Sequence, residues 1–163
     1  SGSGTTAIGQ LEAPSQLTMP NQPAFAVTKS SSQNSMPINS DTTITFDTER
    51  FDQGSHFASN TFTAPVTGRY QLNANVNMSY LDKDAGYTII YINTSNKKYL
   101  SFIDPGVLAS DPDYFTLNLS IVADMDANDT STVSFLQNGG SAQVSVSGGV
   151  GDVGTIFSGF LVC

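Results

Sequence analysis

From Tyr70 to Tyr80 the chain alternates without a break. Tyr70, Leu72, Ala74, Val76, Met78 and Tyr80 are interleaved with Gln71, Asn73, Asn75, Asn77 and Ser79. Successive side chains of a strand point to opposite faces, so a strict period of two puts one face in a core and leaves the other polar. Nothing else in the chain constrains its fold as tightly. No segment of helical period is long enough to cover that apolar face, so other strands must do it.

Such strands are legible. Pro23–Thr28, Thr42–Asp47, Tyr87–Asn93, Tyr114–Ala123, Thr132–Leu136, Ala142–Val146 and Thr155–Val162 read as short extended segments. The fourth alternates again through Phe115, Leu117, Leu119 and Ile121. Turn chemistry separates them at Pro65–Gly68, Asp104-Pro105-Gly106, Asp111-Pro112-Asp113, Gly139-Gly140 and Gly148-Gly149. Eight or more short strands with such punctuation predict an all-β sandwich or jelly roll.

Composition agrees. Only 12% of residues are charged, so Ser, Thr, Asn and Gln must supply most of the polar surface. These are poor helix formers that compete locally for backbone hydrogen bonds. Net charge is −8 and the six basic residues are dispersed. With no basic patch to displace counterions, nucleic acid is excluded as a partner. The same balance disfavours anionic membranes, and no run of about 18 apolar residues exists to insert into one. Cys163 is the single cysteine, so no intrachain disulfide forms, and both an interchain bond and a packed thiol stay open. Residues 1–22 read as a linker or tail that begins with a cloning scar, Ser1–Gly4. Residues 23–163 suit one domain.

The last strand is apolar on both faces. Ile156, Phe160 and Val162 share one with Ser158; Phe157, Leu161 and Cys163 share the other with Gly159. Such a strand is covered on both sides. One cover is the domain core; the other is its own loops or a neighbouring subunit.

The segment from Phe57 to Leu72 contains Phe62-Thr63-Ala64-Pro65-Val66-Thr67-Gly68-Arg69-Tyr70 and resembles the signature of the C1q domain family. Pro23–Val27 is similar to that family's first strand and Phe157–Leu161 to its last. Phe25, Phe57, Phe62, Pro65, Gly68, Tyr70, Phe157, Gly159 and Phe160 carry the resemblance as core and motif residues. It implies a C1q/TNF-like jelly-roll sandwich of about ten antiparallel strands, usually a homotrimer that recognises proteins or glycans. Asp126-Ala127-Asn128-Asp129 departs from the family's Gly-Asp, and no Gly-X-Y stalk is present. The Asn-rich face and the Phe46–Asp52 stretch look more like C1q-like domains of bacteriophage fibres and other virion proteins.

Catalytic chemistry is poorly represented. His56 is the one histidine and no Gly-x-Ser-x-Gly elbow exists, so an enzyme is not expected. Asp124-Met125-Asp126-Ala127-Asn128 begins like an EF-hand loop but fails, with Asp129 at the glycine position and Phe135 at the twelfth. No cofactor is required, yet a trimer triples any carboxylate near its axis. Asp82, Asp84, Asp111, Asp113, Asp124 and Asp126 are therefore candidates for a Ca2+ site. Gln71, Asn73, Asn75, Asn77 and Ser79 either face solvent or line a hydrated seam between subunits. Sequons at Asn77, Asn93, Asn118 and Asn128 are given no role. The ligand-binding residues are unknown; the loops Tyr80–Tyr87, Ser95–Tyr99 and Asp104–Tyr114 are the candidates.

The expected function is a non-enzymatic trimeric head recognising a host-surface protein or glycan, located on a virion such as a phage fibre. The alternative is a secreted extracellular C1q-like adhesion module, and a fibre-borne glycan hydrolase or esterase is a remote third.

Overall fold

A computed structural model describes residues 19–149 and 154–163; most of the 1–22 tail lies outside the described residues. The described residues form twelve strands in two antiparallel sheets of six. The first sheet holds β1 (Ala24–Thr28), β3 (Thr48–Gln53), β6 (Gly68–Ser79), β9 (Tyr114–Met125), β11 (Ser145–Val146) and β12 (Ile156–Leu161). Its order is β3-β1-β12-β6-β9, with β11 beside β12 on one edge of β6. The second holds β2 (Thr42–Thr43), β4 (Phe57–Ala58), β5 (Thr61–Thr63), β7 (Ala85–Thr94), β8 (Lys98–Ile103) and β10 (Thr130–Gly139). Its order is β4-β5-β10-β7-β8, with β2 also on β10. This is the expected all-β jelly roll.

The alternation of β6 sets the interior. Tyr70, Leu72, Ala74, Val76 and Met78 are buried, and their intervening amides are not. β9 runs antiparallel along the full length of β6, pairing Tyr70 with Ala123, Leu72 with Ile121, Ala74 with Leu119, Val76 with Leu117 and Met78 with Phe115. Directly paired residues share a face, so β9 extends the apolar side of β6. Phe62, Ile90, Ile92, Val133 and Phe135 of the second sheet close on it. Each such side chain contributes about 1.5–3 kcal/mol through lost water contact.

Two expected strands are shorter than their patterns. In Thr42–Asp47 only Thr42 and Thr43 pair; Thr45 and Phe46 donate their N–H groups to the side chains of Gln33 (3.0 Å) and Asn60 (2.7 Å). In Ala142–Val146 the N–H of Ala142 goes to Asp82. β3, β4, β5 and β8 are additional to the expected set.

The sandwich has two distinct ends. The upper end holds the loops 80–84, 104–113 and 140–144. The lower end holds the turns 64–67, 95–97 and 126–129, together with Met19–Pro23 and Val162–Cys163. Gly68 pairs with Met125 below and Ser79 with Tyr114 above. At 3.3 Å per residue, the ends of β6 are roughly 36 Å apart.

Candidate functional site

The motif residues meet in one aromatic cluster near the lower end. Phe25 stacks on Phe62 at 4.5 Å and on Phe57 at 5.5 Å, and meets the edge of Phe157 at 4.9 Å. Phe62 touches Tyr70 at 5.5 Å, and the Tyr70 hydroxyl donates to the Val66 carbonyl at 2.8 Å. That bond ties the core to the Pro65–Gly68 turn. Gly68 and Gly159 are fixed by space: a Cβ on Gly159 would lie 2.7 Å from Leu72 Cδ2 and 2.9 Å from Phe25 Cε1. Phe160 is a correction. It lies on the outer face of the first sheet, 45% exposed, because period two puts it opposite Phe157 and Gly159.

At the upper end two of the three candidate loops pack together. Lys83 N–H donates to Asp111 Oδ1 (2.9 Å), and Tyr80 N–H to the Asp113 carbonyl (3.2 Å). Asp104 caps a one-turn 3-10 helix, Pro105–Val107, by accepting from Gly106 N–H at 2.9 Å. Asp82 is buried beneath them. Its carboxylate accepts from the backbone N–H groups of Asp84 (2.9 Å), Ser141 (2.6 Å) and Ala142 (2.8 Å). Burial pushes its pKa up, but the three backbone donors outweigh that and hold it below the ordinary value. The third candidate loop, Ser95–Tyr99, is at the opposite end, and only its first three residues lie outside a strand. A tight hairpin, with Thr94 N–H donating to the Lys97 carbonyl at 2.8 Å, ends as β8 begins at Lys98.

Sequence reasoning missed β8 because Tyr99, Leu100, Phe102 and Ile103 are apolar on both faces and show no alternation. Leu100 and Phe102 stand exposed on the outer face of the second sheet beside Tyr87 and Ile89. Lys98 lies 4.4 Å from the Tyr91 ring centroid and pairs with Asp41.

The six candidate metal ligands do not converge within one chain. Asp111 and Asp113 are at the upper end with Asp82 and Asp84; Asp124 and Asp126 are at the lower end. Among the described residues no group of three or more His, Cys, Asp or Glu could hold a metal ion. Asp82 spends its oxygens on backbone donors, Asp84 pairs with Lys83 (2.5 Å) and Asp124 with Arg69 (3.1 Å). Asp126 lies beside Thr67 in the cleft of about 370 Å³ that Arg69, Asp124 and Cys163 also line.

Among the described residues no carboxylate hydrogen-bonds the His56 ring. Asp52 accepts the backbone N–H groups of His56 (3.0 Å) and Phe57 (2.9 Å), so it fixes the turn and not the imidazole. The ring packs over Gly54, where a Cβ would collide with it.

The amides of β6 lie on the outer face of the first sheet as a connected array. Gln71 Nε2 donates to Asn73 Oδ1 (3.0 Å) and Ser120 Oγ (2.9 Å), Ser120 Oγ donates to Asn73 Oδ1 (2.8 Å), and Asn77 Nδ2 donates to Thr116 Oγ1 (2.9 Å). Asn75 Oδ1 is buried without a donor.

Comparison with known proteins places this geometry. The C1q domain family model matches residues 24–162. Among solved structures, the globular domain of zebrafish complement 1qA protein superposes with a TM-score of 0.60 at 15% identity, covering 86% of this chain and 98% of that one. Murine APRIL, crystallised at pH 8.0, gives a TM-score of 0.58 at 12% identity, covering 86% of this chain and 99% of its own. No curated protein sequence matches the chain.

Proposed function

We propose that this chain, which belongs to the C1q domain family, is a non-enzymatic recognition head that works as a homotrimer. The observation that carries the reading is the outer face of β12. This strand sits between β1 and β6 in the middle of the first sheet, yet presents Phe160 (45% exposed) and, just beyond, Val162 (49%). An exposed aromatic at the centre of a sheet calls for a cover, and a second copy of the same chain supplies one by symmetry. The adjacent amides of Gln71, Asn73 and Asn75 then fix register across the seam.

The mechanism is avidity. Three identical sites on one rigid assembly raise the effective affinity for a repetitive surface without any new contact. The setting proposed is the tip of a virion appendage such as a phage fibre, with a protein or glycan of the host surface as ligand. The Asn-rich face of β6 and the Phe46–Asp52 stretch support that setting, as resemblances only. Met19–Pro23 run at the lower end, so the upper loops lie at the opposite end from the point where the chain enters the first strand. A Ca2+ site among the described residues would be built by symmetry, from carboxylates triplicated about the trimer axis; a melting-temperature shift between millimolar Ca2+ and chelator is its test.

Sedimentation equilibrium tests the assembly. Three chain masses support the reading, and a stable monomer overturns it. Binding to host-surface extracts and a glycan array, run beside turnover assays, separates a binder from an enzyme.

A further inference from the structure

The most exposed large apolar side chains among the described residues are Val107 (77%), Tyr114 (74%) and Tyr80 (64%). Tyr80 and Val107 lie in the two packed loops of the upper end, and Tyr114 opens β9 where the second loop ends. Scattered exposed apolar residues need no explanation, but their collection at one end of a domain does. Tyr80 and Tyr114 are neighbours: Ser79 pairs with Tyr114 in the β6–β9 ladder, and Tyr80 N–H donates to Asp113. Tyr80 adopts φ +63°, costly for a bulky residue, with no burial in return.

The charge around these rings is one-sided. The same loops expose the carboxylates of Asp84, Asp104, Asp111 and Asp113 and one ammonium, Lys83, already paired with Asp84. An apolar surface bordered by uncompensated carboxylates repels an acidic partner and attracts a basic one. Arg and Lys side chains meet both needs. Their stems cover aromatic faces, their cations sit favourably over the rings, and their heads reach the carboxylates.

We infer that the upper end, through Tyr80, Tyr114 and Val107 with Asp84 and Asp113, is a docking surface for a lysine- and arginine-rich segment of a partner protein. This rests on the recognition reading above and names its partner class. The surface is preorganised. Asp82, Asp104 and Asp111 each accept backbone N–H bonds that hold the loops, so little ordering entropy is lost on binding. Asp84 and Asp113 have no such backbone duty among the described hydrogen bonds: Asp113 is free to meet a ligand, and Asp84, held only by the exposed Lys83 ammonium, can exchange that cation for one of the partner's.

The test is titration of the whole chain with a tyrosine-free arginine/lysine decapeptide, followed by fluorescence anisotropy at about 20 mM and about 300 mM NaCl. The expected result is binding that weakens with salt. It should also fall about tenfold in Asp84→Asn/Asp113→Asn and in Tyr114→Ser. Glu49→Gln/Asp126→Asn removes the same charge elsewhere and should leave it near wild type. Equal loss in that control means a response to net charge alone and overturns the proposal. So does unchanged binding in Tyr114→Ser, or preference for an uncharged glycan over the peptide. Both loops come from one chain. A monomer that still binds at these residues therefore defeats the assembly reading and not this one, and a trimer without the site defeats only this one.

Discussion

Asp82 and Gly140 hold the upper end closed as a pair. Asp82 Oδ2 accepts the N–H groups of the two residues that follow Gly140, Ser141 and Ala142, and a Cβ on Gly140 would collide with that oxygen. Gly140 also has φ +84°, a conformation that glycine adopts without steric cost. The loop after β10 is thereby fastened beneath the loop after β6, the one that carries Tyr80.

Asp82→Asn should lower stability by about 1–3 kcal/mol, because an amide NH2 turned toward either N–H leaves a buried donor unmet. The pH dependence has a defined sign. The folded pKa of Asp82 is depressed, so its contribution is fully present above the unfolded carboxylate value and is lost as pH falls through the folded one. Chemical denaturation from pH 7 down to pH 2 should show a smaller acid-induced loss in Asp82→Asn than in wild type. An identical slope refutes the latch.

Gly159→Ala and Gly149→Ala should separate cleanly. The first drives a methyl into Leu72, Phe25 and the Gln71 carbonyl and should cost about 1–3 kcal/mol. The second meets nothing within 4 Å among the described residues and has no positive φ, so it should be neutral or gain about 0.4–1 kcal/mol from a stiffer unfolded chain. Paired thermal melts decide, and equal Tm values would remove the packing account of Gly159.

Gly159 also shows how far the sequence could be read. Alternation places β6, β9 and the buried face from Tyr70 to Met78 correctly, because period two is a direct consequence of burying one side of a sheet; it fails at Tyr80, which leaves the strand at φ +63° and is 64% exposed. On β12 alternation separates Phe160 from Phe157 and Gly159 but leaves open which face is inward, and the family resemblance groups all three as core and motif residues although only Phe157 and Gly159 face the interior. β8 shows no alternation because both its faces carry apolar residues, and the pattern of Thr42–Asp47 runs past the paired residues because Gln33 and Asn60 side chains take ladder N–H groups. The upper loops were legible as candidates from turn residues. Their packing through Asp82 was not, since nothing in Leu81-Asp82-Lys83 signals a buried carboxylate.

Lys29 was equally silent in the sequence. It is 3% exposed, with Nζ donating to the Thr45 carbonyl (2.6 Å) and hydroxyl (2.8 Å). Burial lowers its pKa, partly opposed by Asp47. The unfolded chain therefore binds this proton more tightly than the folded one. The cost of charged Lys29 is full below the folded pKa and is relieved as pH rises from there toward about 10.5, the unfolded value. The stability difference between wild type and Lys29→Met, measured from pH 7 to pH 10.5, should shift in favour of wild type as pH rises. A constant difference means the ammonium pays no burial penalty.

Phe160 gives the sharpest test of assembly. It pairs with Ala24 on one side and Gln71 on the other, at the border between the apolar and amide halves of the outer face. Its ring is largely outside the core, so Phe160→Arg leaves the aromatic cluster of Phe25, Phe62 and Phe157 intact. In a monomer the change should be nearly neutral, within about 0.5 kcal/mol, as for other surface substitutions. In the proposed trimer it places three cations in a seam built from apolar and amide groups, where an unpaired charge cannot be desolvated cheaply. Sedimentation should then show wild-type trimers and dissociated variant chains at micromolar concentration, with circular dichroism unchanged. The wild-type Tm should rise with protein concentration, since association stabilises the folded state by mass action, and the variant's should not. A variant that stays trimeric would mean that the face of β12 is left open and that subunits meet elsewhere.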